Sequence, residues 1–268
     1  MADPDIRLLQ QHLNRTGALL AVDGLCGPRT RAALSEARHL SGGLENSALR
    51  DWLAMQPEPV PDLSTDSVNF IVAEEVGSRA RYDREATRPH WPGGASGLTI
   101  GIGCDLRFRA GSFDDDWGPL LDPGVMAALR PHLGRPGSAD AVRDTRHVRI
   151  HWRHAWTEFT CHSLPATISA TRKAFPAFDR LPDACRAALV SLVHNRGAGL
   201  GPGDRRREMR AIRAALDRDD LHAVPGLLLS MQRLWPDVPG LRTRRAREAA
   251  LWRRGSAGRP DSSGDRGR

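Results

Sequence analysis

Lysine is almost missing from this 268-residue chain: Lys173 is the only one, so the net charge of +7 is carried by arginine. A basic excess of that size points to an anionic partner, which could be nucleic acid, a membrane surface or a cell wall. No zinc finger, recognition helix or RNA-binding signature accompanies the arginines, and this argues against specific nucleic-acid binding. Long apolar runs are absent too. Nothing approaches the roughly 20 consecutive apolar residues of a spanning helix, so no transmembrane segment is expected. Cysteine is scarce. Cys26, Cys104, Cys161 and Cys185 form neither a Cys-x-x-Cys pair nor the ladder of a disulfide scaffold, and free buried thiols are the expected state.

Metal-ligating patterns are weak as well. Asp114-Asp115-Asp116 lacks the spacing of a calcium loop and reads as a solvated turn. His147, His151 and His154 share helical spacing, but Val148, Ile150 and Trp152 alternate as in an extended segment, and no fourth ligand follows. Neither a metal nor an organic cofactor is expected.

The most informative stretch runs from Phe70 to Arg107. A helix is expected to start near Thr65 or Ser67, with Asp66 in its first turn. Val68, Ile71, Val72, Glu75 and Val76 then fall on one face, which sets Glu75 in an apolar stripe and Glu74 at its edge. Desolvation of such a carboxyl favours its protonated form, as a general acid requires. Further on, Leu98-Thr99-Ile100-Gly101-Ile102-Gly103-Cys104-Asp105 alternates branched residues with glycine and reads as a short strand. A helix acid, a strand hydroxyl and a strand-end acid are the parts of an inverting glycosidase: one acid protonates the leaving oxygen, and the others orient and deprotonate a water.

Glu75-Val76-Gly77 followed by Thr99-Ile100-Gly101-Ile102-Gly103 resembles the phage-type lysozymes, more closely their pesticin-like branch. That resemblance implies Glu75 as acid, Asp105, six residues after Thr99, as base, and Thr99 as the group that positions water. Asp83 and Glu85 are the runners-up for the base. Ala188 to Gly197, with Asn195 as a sugar-amide contact, resembles the helix flooring the cleft of that family. Gly240 to Trp252 resembles its closing helix, with arginines that could pair with catalytic-domain acids or face the anionic wall, a solvated face being the default for most of them.

The N-terminal stretch carries a second resemblance. Leu9-Gln10, Val22-Asp23-Gly24 and Gly27-Pro28-Arg29-Thr30 resemble the three-helix peptidoglycan-binding module, with Ser47 to Met55 as its third helix. The expected organisation is thus a helical module at 1–55, a proline-rich linker at 56–63, a lysozyme-like domain at 64–254 and a disordered tail at 255–268. The fold class is mainly α, of the α+β lysozyme-like kind, with two lobes and a short β-hairpin or small sheet. What the resemblance implies is a monomeric muramidase that hydrolyses the β-1,4 bond between N-acetylmuramic acid and N-acetylglucosamine in peptidoglycan glycan strands. A lytic transglycosylase and a non-catalytic wall-binding protein are the alternatives. The opening Met1-Ala2-Asp3-Pro4-Asp5 does not read as a signal peptide. The chain is therefore expected to be made in the cytoplasm and to reach the wall by lysis, a holin or a secretion machine, with an immunity protein left open.

Overall fold

Asp3 opens the first helix by accepting hydrogen bonds from the backbone N–H groups of Asp5 (2.8 Å) and Ile6 (3.3 Å), with Pro4 placed where no donor is needed. The computed structural model describes residues 2–257. They fall in two compact units, Met1–Ser163 and Leu164–Arg268.

The first unit begins with α1 (Pro4–Arg15), α2 (Pro28–Leu40) and α3 (Asn46–Ala54), whose apolar faces meet at Leu13, Ala33, Ala37, Leu49 and Leu53. The Leu-Gln and Val-Asp-Gly signatures have a direct physical cause. Gln10 is buried and staples the turn ahead of α2. Its Nε2 donates to Asp23 Oδ1 (2.8 Å) and Leu25 O (3.1 Å), while its Oε1 accepts from Gly24 N (2.9 Å). Each bond satisfies a polar group that burial would otherwise penalise. Residues 56–63 are fastened along their length. Arg15 Nη1 donates to Ala54 O and Gln56 O (both 3.2 Å) and pairs with Glu58 (3.3 Å), while Glu58 Oε2 accepts from both the N and Oγ1 of Thr65 (2.5 Å).

Helix α4 (Thr65–Val76) follows, and its N-cap is Ser64 rather than Thr65 or Ser67, because Ser64 Oγ reaches Ser67 N at 3.3 Å. Val68, Ile71 and Val72 are fully buried, worth about 1.5–3 kcal/mol each in area removed from water. Gly77, at φ 75°, ends α4 in a conformation unfavourable for other residues. The short α5 (Arg79–Arg81) then passes into a π-helical turn, Tyr82–Ala86. Tyr82 is buried, and its hydroxyl donates to Ile150 O at 2.9 Å.

The stretch expected as one strand is a hairpin. β1 (Thr99–Ile100) and β2 (Cys104–Asp105) pair antiparallel, with Thr99 opposite Asp105 and Ile100 opposite Cys104. The reversal happens because Gly101 (φ 57°) and Gly103 (φ 75°) adopt the left-handed conformations that a tight three-residue connection needs. A Cβ on Gly101 would lie 2.8 Å from the Trp117 ring, so only glycine lets the tip reach that buried indole.

The remainder of the unit holds α6 (Phe113–Trp117), α7 (Pro123–Leu129), α8 (Ala139–Asp144), α9 (Trp152–Glu158) and a second π-helical turn, Phe159–Ser163. The aspartates expected as a solvated turn belong to α6, and Asp116 is buried there because it has polar partners. Val148, Ile150 and Trp152 are buried while Arg149 and His151 are exposed, the alternation the sequence implies. The connection between α1 and α2 touches α9. Trp152 Nε1 donates to Gly17 O at 2.8 Å, and a Cβ on Gly17 (φ 88°) would lie 2.8 Å from Trp156.

The second unit comprises α10 (Leu164–Ala174), α11 (Asp183–Arg196), α12 (Arg207–Asp217), α13 (Ala223–Ser230) and α14 (Pro239–Ser256). Helix α11 is buried through every residue from Ala187 to Val193, since α10 and α14 both pack on it. Gly197, at φ 73°, ends it. On α14 the expected solvent-facing arginines are partly corrected. Arg244 and Arg245 are buried because Glu248, also buried, accepts from them at 3.3 Å and 2.8 Å, and Ser191 Oγ adds a bond to Glu248 at 2.7 Å. Of the tail expected at 255–268, Gly255 and Ser256 complete α14, and residues 258–268 lie outside the described residues.

The described chain is mainly helical with one small two-stranded sheet. No described helix is long and apolar enough to cross a membrane.

Candidate functional site

Four side chains were singled out by the sequence, and three of them, Glu75, Thr99 and Asp105, stand in the first unit. Glu75 lies in the last turn of α4, half-buried, with its Oε1 shielded from solvent. Thr99 and Asp105 face each other across the β1–β2 ladder. Directly opposed residues of such a pair hold their Cβ atoms about 4.5–5.5 Å apart on the same side of the sheet. Thr99 is buried and fixed on its other side by His90, whose backbone exchanges two hydrogen bonds with it (2.8 and 3.1 Å).

Asp105 does structural work as well. Its Oδ1 accepts from Gly97 N (3.0 Å) and Arg107 N (2.9 Å), which caps the 3-10 turn Leu106–Phe108 and ties the preceding loop to β2. That closeness demands glycine at 97: a Cβ there would lie 2.6 Å from Asp105 Oδ1. Both of these bonds use one carboxylate oxygen.

The runner-up acids are engaged elsewhere. Asp83 pairs with Arg79 at 3.0 Å, and Glu85 is bound by Arg81 (2.8 Å) and Arg84 (2.6 Å), which hold its carboxyl below the usual range. Asn195, in the second unit, is exposed at the end of α11, and its Oδ1 accepts from Arg245 Nη2 at 3.4 Å.

Sequence reasoning missed a buried polar network against the hairpin. Glu158, at the end of α9, is fully buried, and its Oε1 accepts from Ser163 Oγ at 2.6 Å. Arg109 Nη2 donates to that same Ser163 oxygen at 2.6 Å and faces Asp116 at 3.7 Å; Asp116 also accepts from Ser112 Oγ (2.7 Å) and meets His162 Nδ1 at 3.3 Å. Burial pushes the Glu158 carboxyl up, against the opposing pull of the Ser163 hydrogen bond and Arg109. Cys104, the neighbour of Asp105, feels the same environment: burial, then the Glu158 charge, pushes its thiol up to about 12. The available signals were a glutamate in the apolar run Ala155 to Phe159 and an arginine after β2. Neither has a spacing that distinguishes it from surface charge.

All four cysteines are free; Cys104 and Cys185 are buried as expected, whereas Cys26 and Cys161 are exposed. No group of three or more metal-ligating side chains occurs among the described residues. Chemically, the first unit offers a helix carboxyl with one shielded oxygen, and a threonine opposite an aspartate on a short hairpin. Compared with known proteins, the chain matches no family model and no curated protein.

Proposed function

We propose that the chain is a peptidoglycan hydrolase, a muramidase that cleaves the β-1,4 bond between N-acetylmuramic acid and N-acetylglucosamine by general acid–base hydrolysis with inversion. The observation that carries this reading is the register of the hairpin, which opposes Thr99 to Asp105 on the Thr-Ile-Gly-Ile-Gly turn. In the proposed mechanism Glu75 protonates the leaving glycosidic oxygen, Asp105 takes a proton from water, and Thr99 holds that water in line. The lysozyme-like lobes, the wall-binding role of the N-terminal helices, the glycan-strand partner and delivery to the wall from the cytoplasm all belong to this proposal. So do the monomeric state and substrate contact by Asn195.

Glu75→Gln and Asp105→Asn, tested separately on purified walls, examine it. Each keeps the size of its side chain, and the amide introduced by Asp105→Asn retains an oxygen able to accept from Gly97 and Arg107. Loss of about 10²-fold or more in fragment release by each folded variant is expected. Unchanged activity in either refutes that residue's role.

One observation favours a second reading. Because Asp105 Oδ1 is spent on two backbone N–H groups, Asp105 has a purely structural role available to it. Glu75 alone would then serve as both acid and base, as in a lytic transglycosylase, where a substrate hydroxyl closes on the anomeric carbon. The product then ends in a 1,6-anhydro sugar, and Asp105→Asn stays active.

A further inference from the structure

Four arginines of the second unit, Arg196, Arg205, Arg206 and Arg210, flank the glycine-rich loop 197–203, and none makes an ion pair within 4.0 Å among the described residues, although Asp204 acts on Arg210 and Glu208 on Arg196 at longer range. The nearby acids are taken: Asp204 and Glu208 both bind Arg233 at 2.6 Å and also face Arg207. Three of the four are instead held by carbonyl oxygens. Arg196 donates to Arg205 O, Arg206 to Gly197 O (3.2 Å), and Arg210 to Gly201 O and Gly203 O. Carbonyl dipoles orient a guanidinium without cancelling its charge, so like charges are fixed close together.

Arg196 experiences this most. It is half-buried, its Nε is shielded and lacks a hydrogen-bond partner, and burial together with Arg206, Arg245 and Arg205 pulls its pKa down to about 10, against the opposing pull of Glu208. Its guanidinium lies 4.8 Å from the centre of the Trp235 ring, which Arg245 approaches at 5.8 Å, and Arg245 in turn bonds Asn195 Oδ1, orienting that exposed amide. An anion placed here would relieve the repulsion among the guanidinium groups, and a planar guanidinium matches a planar carboxylate best.

We propose that Arg196 and Arg206, beside Trp235 and Asn195, form a binding site for the carboxylate of an acidic amino sugar. The site rests on the muramidase reading and refines it: it separates the lactyl-bearing sugar of the glycan strand from the neutral one.

The test uses the full chain and binding rather than turnover, so that its failure is distinct from failure of the Glu75 and Asp105 assignments. Affinities for N-acetylmuramic acid, N-acetylglucosamine and inorganic phosphate are measured by calorimetry or NMR titration. Binding of N-acetylmuramic acid at least about tenfold tighter than N-acetylglucosamine, a difference of about 1.4 kcal/mol, is expected. Arg206→Ala and Arg196→Ala should each reduce that preference while N-acetylglucosamine binding persists. Equal binding of the two sugars, a preference that survives in a folded Arg206→Ala variant, or phosphate binding as tightly as N-acetylmuramic acid would overturn the proposal.

Discussion

Glu158 shows how one residue's burial can be read as a pH effect. Its carboxyl is raised in the folded state chiefly because water is excluded from it, so the folded chain binds more protons than the unfolded chain above the ordinary glutamate range. Stability contributed by the neutral acid is complete below about pH 4.3, the unfolded value, and is lost as pH rises through the higher folded value. Glu158→Gln keeps an oxygen for Ser163 and removes the titration. Urea denaturation should therefore find the variant more stable than the parent at pH 7, with the gap closing toward pH 4; a gap that is constant with pH would show that Glu158 does not titrate in this way. Cys104 gives an independent reading of the same interior. With its thiol pushed up to about 12, it should resist thiol reagents in the native protein.

At the scale of single elements, the hairpin depends on glycine where a backbone or side chain must come close. Gly97→Ala would drive a methyl group into Asp105 Oδ1, and the loop must shift to admit it. Wall hydrolysis should fall by about tenfold or more while far-ultraviolet circular dichroism is preserved, since a misplacement of about 1 Å is enough to cost that much; full activity would mean that the Asp105 position is not critical. Gly17→Ala tests the fastening of the three-helix region to α9. It combines a positive φ with an overlap on Trp156 and should destabilise by about 2–3 kcal/mol in urea.

Much of this element structure was legible in the sequence. The apolar spacing of Val68, Ile71 and Val72 placed α4, and the Gln10 and Asp23-Gly24 motif marked a real turn. Thr99 and Asp105 were singled out without their pairing, because the same glycines that suggested a flat strand actually reverse the chain. The network of Glu158, Arg109, Asp116 and His162 was not legible. Its members are brought together by tertiary packing across residues 109–163, and charged residues carry no local sign of burial. Likewise, Arg244 and Arg245 looked solvent-facing because Ser191, which binds Arg244 and their shared partner Glu248, lies on a different helix.

For the whole molecule, the thiols offer a simple check on the fold. Cys26 and Cys161 are exposed and should react in the native chain, while Cys104 and Cys185 should react only on unfolding. The proposed hydrolysis is a property of the whole chain. Its most direct test is a digest of purified peptidoglycan by the full chain, with products analysed by mass spectrometry and reduction of free ends. Muropeptides with reducing N-acetylmuramic acid ends, abolished by Glu75→Gln, are expected. Walls left intact, or fragments ending in 1,6-anhydro sugars, would contradict it.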